Sequence, residues 1–248
     1  MQARQKKRIL LLGATSEVAM ELGKLLLKQG CELTMAGRKI SRLKPFQSEA
    51  WWLYGNSPAL LEMDIEKDSF IHMVGRETEG YDMLIVMVGY MVADESKIVD
   101  HVVMERIIHI NFMLPVLIIS KFVEQFAKRG YGMIVGVSSV AGERGRASNT
   151  IYGSAKAGFS TYLDGLRASM YEKGVHVLKV VPGFMKTKML KDAKTPGFIT
   201  QSPQKAAYII HRAINLKKNT VYVDWKWRWI MLAVKLIPNG IFKRLPNF

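Results

Sequence analysis

Short apolar runs alternate with amphipathic stretches along almost the whole chain. Arg8 to Leu12 is an apolar run that stops at Gly13, after which Val18, Leu22, Leu25 and Leu26 recur at three- and four-residue steps as far as Gly30. That pattern predicts a strand, a turn and a helix. Further strands are predicted at Glu32 to Ala36, Ala59 to Met63 and Met83 to Val88, with room between them for a helix or a tight crossover. The rhythm continues with a helix ending near Asn111, a helix from Pro115 to Lys128, a strand from Met133 to Val137 and a helix from Tyr152 to Lys173. A strand from Val175 to Val181 closes at Pro182 and Gly183, and a helix from Pro203 to Leu216 leads to a last strand around Thr220 to Val223. Such alternation predicts an α/β fold, a doubly wound parallel sheet with helices on both faces. No linker or internal repeat divides it. The expected organisation is one domain over residues 1–224 and a C-terminal amphipathic extension over 225–248.

Composition narrows the function classes. With 248 residues, 49% hydrophobic and 23% charged, the chain can bury a substantial core, which excludes a disordered, collagen-like or low-complexity protein. A net charge of +15 biases it toward phosphate-bearing partners or an anionic membrane surface. Cys31 stands alone, so no internal disulfide is expected, and Ile9 to Leu12 is too short for a signal-peptide core. These features predict a cytoplasmic protein. No run of about 20 uninterrupted apolar residues predicts a spanning helix. His72, His101, His109, His176 and His211 lack metal-ligand spacing, so no metal site is expected, and nothing resembles a nucleic-acid recognition module.

Two segments carry candidate chemistry. The first turn reads Gly13-Ala14-Thr15-Ser16-Glu17-Val18-Ala19, where a dinucleotide pyrophosphate would meet helix-terminal N–H groups. Against the usual G-x-x-x-G-x-G spacing, Glu17 and Ala19 replace the later glycines. Thr15 and Ser16 offer hydroxyls to a phosphate. The second segment places Ser139 at the end of a strand, with Tyr152 thirteen residues on and Lys156 four further, on one face of a helix. A phenol of ordinary pKa about 10 exchanges protons poorly at neutral pH unless a cation favours its ionised form, and the spacing predicts that Lys156 does so.

On these residues the chain resembles the short-chain dehydrogenase/reductase family over nearly its whole length. The resemblance implies a Rossmann-like fold and a nicotinamide cofactor. It implies catalytic roles for Ser139, Tyr152 and Lys156, and a structural and proton-relay role for Asn111. It also implies that Asp64 meets the adenine, and that Pro182 and Gly183 with Thr187 border the nicotinamide. Val86-Met87-Val88-Gly89 replaces the family's N-N-A-G segment, so only Gly89 carries over. Homodimers or homotetramers built on the helices from Pro115 and Tyr152 are implied as well. A closer resemblance lies in three places: the Gly13 to Ser16 turn, the S-S-V-A-G-E-R-G-R-A-S-N run from Ser138 to Asn149, and the Trp225 to Arg244 tail. These are similar to decaprenylphosphoryl-2-keto-erythro-pentose reductases and their relatives, which implies reduction of a keto-sugar on a polyprenyl phosphate.

Arg38 and Lys39 follow the second predicted strand, where NAD enzymes usually carry an acidic residue for the ribose hydroxyls. This favours NADP, with NAD possible if Arg38 stacks on adenine instead. In the tail, Trp225, Trp227 and Trp229 alternate with Lys226 and Arg228 ahead of an apolar segment through Ile237. Aromatics with basic neighbours suit a helix lying at a membrane interface; packing on the domain or on another subunit is the alternative. The expected function is reduction of a ketone, on a lipid-linked sugar or another hydrophobic molecule such as a long-chain or sterol ketone. A nucleotide-binding scaffold that has lost turnover is the rival that the intact Ser139, Tyr152 and Lys156 oppose.

Overall fold

The computed structural model describes residues 6–64, 80–92, 95, 100–187 and 197–245. Strands β1 (Arg8–Leu12), β2 (Glu32–Gly37), β3 (Ala59–Glu62), β4 (Met83–Val86), β5 (Gly132–Val137), β6 (Val175–Val181) and β7 (Thr220–Tyr222) form one parallel sheet. Their order is β3-β2-β1-β4-β5-β6-β7, the doubly wound arrangement expected from the pattern. The order reverses between β1 and β4, and ligands of such sheets bind at the carboxyl ends near that point. β1 and β4 are apolar throughout because both of their faces are covered. Ile9 and Leu11 enter the core on one side, Leu10 and Leu12 the core on the other, following the two-residue period of a strand.

Helices α1 (Glu17–Lys28) and α2 (Lys44–Tyr54) cover the first face together with α6 (Pro203–Asn215). On the second face lie α4 (Leu114–Arg129) and α5 (Thr150–Met170), packed through Ile118, Phe122, Phe159 and Leu163. The hydrophobic pattern did not single out α2, because only Phe46 and Ala50 are buried on it while Trp51, Trp52 and Leu53 are exposed.

The expected helix end near Asn111 needs correction. α3 (His101–Ile108) passes through a π-helical turn at His109–Met113 directly into α4. Pro115 has no N–H for the Asn111 carbonyl four residues back, and the Asn111 side chain takes the Ile107 carbonyl, so the helix widens by a turn instead of stopping. The combined His101–Arg129 helix is long and apolar enough to cross a membrane by length and composition alone. Its Ile118, Ile119, Phe122 and Phe126 face the sheet.

The tail forms α7 (Trp225–Leu236) and the short α8 (Asn239–Phe242). Asp224 opens α7 by accepting the Lys226 N–H at 3.0 Å. The expectation that all three tail tryptophans share one interface is corrected by the packing. Trp227, Met231 and Val234 are buried against Val140, Val181 and Ile199, whereas Trp225 and Trp229 are exposed.

Candidate active site

The sheet brings the candidates together at its carboxyl edge. Gly13 follows β1, Arg38 β2, Asp64 β3, Gly89 β4, Ser139 β5, and Pro182 and Gly183 β6. Thr187 lies five residues beyond Pro182, and its N–H donates to the Met185 carbonyl at 2.8 Å. Residues 188–196, the middle of the expected substrate segment, lie outside the described residues.

The turn after β1 has the geometry of a dinucleotide cradle. Gly13 has φ of 81°, and a Cβ there would stand 2.6 Å from the Met87 carbonyl oxygen, so the turn and the close approach both require glycine. The Gly13 and Ala14 N–H groups both donate to the Ala36 carbonyl at 3.1 Å, which ties the turn to the end of β2 just before Arg38. Thr15 and Arg38 are exposed and Asp64 is half-buried. Ser16 caps α1, its hydroxyl accepting the Ala19 N–H at 3.1 Å, and a hydroxyl used this way still has its proton to donate to a phosphate. Glu17 is the first residue of α1, and the Ala19 methyl is wholly buried where a third glycine would otherwise let helix and sheet approach.

Asn111 is fully buried and spends its amide on backbone. Its Nδ2 donates to the Tyr90 carbonyl at 2.6 Å and the Ile107 carbonyl at 2.9 Å, while its Oδ1 accepts the Tyr90 N–H at 3.3 Å. The segment after Gly89 is thereby fixed to the helix beneath it.

β5 ends at Val137, and Ser139 starts a short turn in which its hydroxyl accepts the Ala141 N–H at 3.1 Å. A Cβ at Gly142 would stand 2.6 Å from the Ala157 nitrogen, so the turn lies directly on α5 beside Lys156. Ser138 adds a second tie, its hydroxyl donating to the Lys156 carbonyl at 3.0 Å. The sequence therefore places Ser139, Tyr152 and Lys156 in one strand-turn-helix unit, and the packing of that turn on α5 sets their mutual position.

Tyr152 is buried, and burial pushes its phenol above the ordinary value. A hydrogen bond with Ser139 and the positive charge of Arg146 pull the other way, and the Glu95 carboxylate adds to the rise. The spacing argument expected Lys156 to favour the phenolate. The Lys156 ammonium stands 5.9 Å from the Tyr152 ring centre and donates to the Val137 carbonyl at 3.1 Å and the Val88 carbonyl at 3.4 Å. Burial lowers its pKa to about 8. An ammonium has three donors, so the third remains for a ribose hydroxyl. Together with the Gly13 turn, this donor set fits a nicotinamide dinucleotide.

Sequence reasoning missed Glu95. It is 4% exposed, and its two carboxylate oxygens accept the N–H groups of Ile151 at 2.7 Å and of Tyr152 itself at 2.9 Å. A carboxylate at a helix start satisfies unpaired N–H groups and complements the helix dipole. No local signal marks it, since Tyr152 lies 57 positions away. Arg146 was read only within the Ser138 to Asn149 run.

A phenol held in its neutral form beside a dinucleotide turn suits proton delivery to a carbonyl oxygen. Fold and site thus suit a nicotinamide-dependent oxidoreductase. The family model for short chain dehydrogenases matches residues 7–196, so the chain belongs to the short-chain dehydrogenase/reductase family. An uncharacterized oxidoreductase of Mycobacterium tuberculosis is 32% identical over 141 residues, covering 57% of this chain and 56% of that protein, little more than half the length of either. One of Myxococcus xanthus is 27% identical over 237 residues, covering 94% of this chain and 93% of the relative. Among solved structures, a short-chain dehydrogenase from Sphingobium yanoikuyae in complex with NADPH superposes with a TM-score of 0.81 at 19% identity, covering 94% of this chain and 97% of that one.

Proposed function

We propose that the enzyme uses NADPH to reduce a ketone on a large hydrophobic substrate, and that this substrate is a keto-sugar carried on a polyprenyl phosphate at the cytoplasmic face of the membrane. The observation that carries the reading is the apolar wall beside the catalytic residues. Half-buried Phe184 lies immediately beyond Pro182 and Gly183, backed by the buried Ile199 and by Trp227, which stands edge-on to it at 5.1 Å. Such a wall suits a lipid chain, and the basic residues of the tail suit its phosphate.

When bound, the reduced nicotinamide supplies the hydride. The Gly13 turn and the Ser16 hydroxyl hold the pyrophosphate, and Arg38 accommodates a 2′-phosphate at the end of β2. Lys156 gives its third N–H to the ribose. Ser139 orients the carbonyl oxygen, and Tyr152 delivers the proton that turns the developing alkoxide into an alcohol.

The test is nicotinamide oxidation by the purified protein with prenyl-phosphate keto-sugars, long-chain ketones and sterol ketones, each with NADPH and NADH. Turnover of the keto-sugar lipid with NADPH, abolished in Tyr152→Phe, is the expected result. Turnover of long-chain or sterol ketones alone overturns the sugar assignment, and equal use of NADH assigns Arg38 to adenine stacking.

A further inference from the structure

Helix α7 is apolar on two opposite sides. At about 100° per residue, Trp227, Met231 and Val234 form the inner stripe, buried in the domain. On the far side Trp225, Trp229, Leu232 and Leu236 follow one another at steps of four, three and four residues and are 70%, 59%, 49% and 74% exposed. Ile241 and Leu245 continue the exposed apolar surface beyond the helix. A surface helix normally turns a polar side to water, so an outer apolar stripe calls for a partner.

The charges around the stripe identify that partner. Between Trp225 and Phe248 the chain carries Lys226, Arg228, Lys235, Lys243 and Arg244 and no acidic residue. Two carboxylates beside the helix are already engaged: Asp224 caps it, and Glu143 pairs with Lys235 and accepts a hydrogen bond from Tyr222. Exposed Arg228, Lys243 and Arg244 stand around an apolar surface that carries two tryptophans at its start. Tryptophan favours the headgroup level, and basic residues are attracted to an anionic leaflet.

The inner side joins the same helix to the active site. A Cβ at Gly183 would overlap the Trp227 indole, whose Nε1 donates to the Ile199 carbonyl at 3.1 Å. Arg144, five residues past Ser139, donates to the Val234 carbonyl at 2.5 Å, the Lys235 carbonyl at 3.0 Å and Asn239 Oδ1 at 3.0 Å, and stacks on Phe242. The catalytic turn and the Gly183 segment are thus both fastened to α7.

We propose that α7 is a membrane-docking helix, with Trp225, Trp229, Leu232 and Leu236 seated in an anionic lipid surface while Trp227 and its neighbours hold the mouth of the active site against that surface. Docking itself is independent of which ketone is reduced. Only its use, to meet a substrate that stays in the bilayer, rests on the proposed function.

The test is co-sedimentation of the full chain with vesicles of phosphatidylcholine alone and of phosphatidylcholine with phosphatidylglycerol, without substrate. It compares wild type, the triple variant Trp225→Ser/Trp229→Ser/Leu236→Ser, the single variant Trp225→Ser, and Trp52→Ser, an exposed tryptophan on α2 near the opposite edge of the sheet. Wild type and Trp52→Ser are expected to bind the anionic vesicles and not the neutral ones. The triple variant should lose at least about tenfold in binding, and the single variant a part of that, since each of these apolar side chains is removed from water on docking. The triple variant's melting temperature and turnover of a water-soluble ketone should stay unchanged, because these side chains touch solvent. Undiminished binding by the triple and single variants, equal binding to neutral vesicles, or loss of binding in Trp52→Ser overturns the proposal. Sedimentation velocity supplies the remaining outcome: a wild-type dimer that the triple variant converts to a monomer, with no vesicle binding by either, would assign the stripe to a second copy of the chain. Vesicle binding without activity on lipid-linked sugars would leave the docking intact and refute only the substrate.

Discussion

Tyr152 is surrounded by groups that push its proton affinity in opposite directions. Burial and Glu95 raise the pKa, while Ser139 and Arg146 lower it, and Lys156 is engaged with the backbone carbonyls of Val88 and Val137. Reduction needs the neutral phenol, so the rate should fall at alkaline pH as the proton is lost. Glu95→Gln removes a negative charge that disfavours the phenolate, and that alkaline fall should move to lower pH while the affinity for NADPH is kept. A pH profile of kcat measures it, and a profile that does not move would reduce Glu95 to a helix cap. Lys156 gives a second pH signature. Its pKa is about 8 in the folded protein against an ordinary 10.5, so between these values the unfolded chain holds a proton that the folded one lacks. Stability attributable to this group therefore rises with pH through that window, and below it the burial cost is present in full. Melting curves between pH 7.5 and 9.5 should show that rise in the wild type and not in Lys156→Met.

At the scale of elements, the π-helical turn between α3 and α4 is where sequence and structure part. The three- and four-residue periodicity is legible on both sides of it, and Pro115 reads locally as a break. The Tyr90 and Ile107 partners of Asn111 keep the helix continuous, and a hydrogen bond to a segment 21 residues away leaves no local pattern. Asn111→Ala removes the hydrogen bonds of its side chain to the Tyr90 N–H and to the Tyr90 and Ile107 carbonyls, at about 0.5–1.5 kcal/mol for each bond. Denaturant unfolding should show a loss in that range or above, with activity impaired through the shifted Gly89 segment. The Ser139 turn behaves differently. Gly142, Ser138 and Lys156 lie in one strand-turn-helix unit, and that short range is why spacing alone could bring Ser139, Tyr152 and Lys156 together as candidates.

At the scale of the whole molecule, the tail belongs to the domain on its inner side. Trp227 fills the space over Gly183 and touches Phe184 and Ile199, none of which is near it in sequence. Trp227→Ala should cost about 3–5 kcal/mol as a large buried aromatic and should also raise KM, because it removes the support of Phe184 in the proposed substrate wall. Thermal unfolding and steady-state kinetics on the same sample check both effects. The exposed Trp229 offers the contrast: its replacement by Ser should leave the melting temperature in place.

The order of strands and helices, the parallel sheet and the Ser139-Tyr152-Lys156 set were determined by the sequence itself, because each depends on periodicity or spacing within a few turns of chain. The turn at Gly13 was legible for the same reason. Only the tertiary structure decided that Glu95 holds the start of the helix that carries Tyr152. It likewise decided that the tail tryptophans divide between the domain and the exterior. Each of these rests on contacts between distant segments, where a residue type is compatible with many surroundings and the packing selects one.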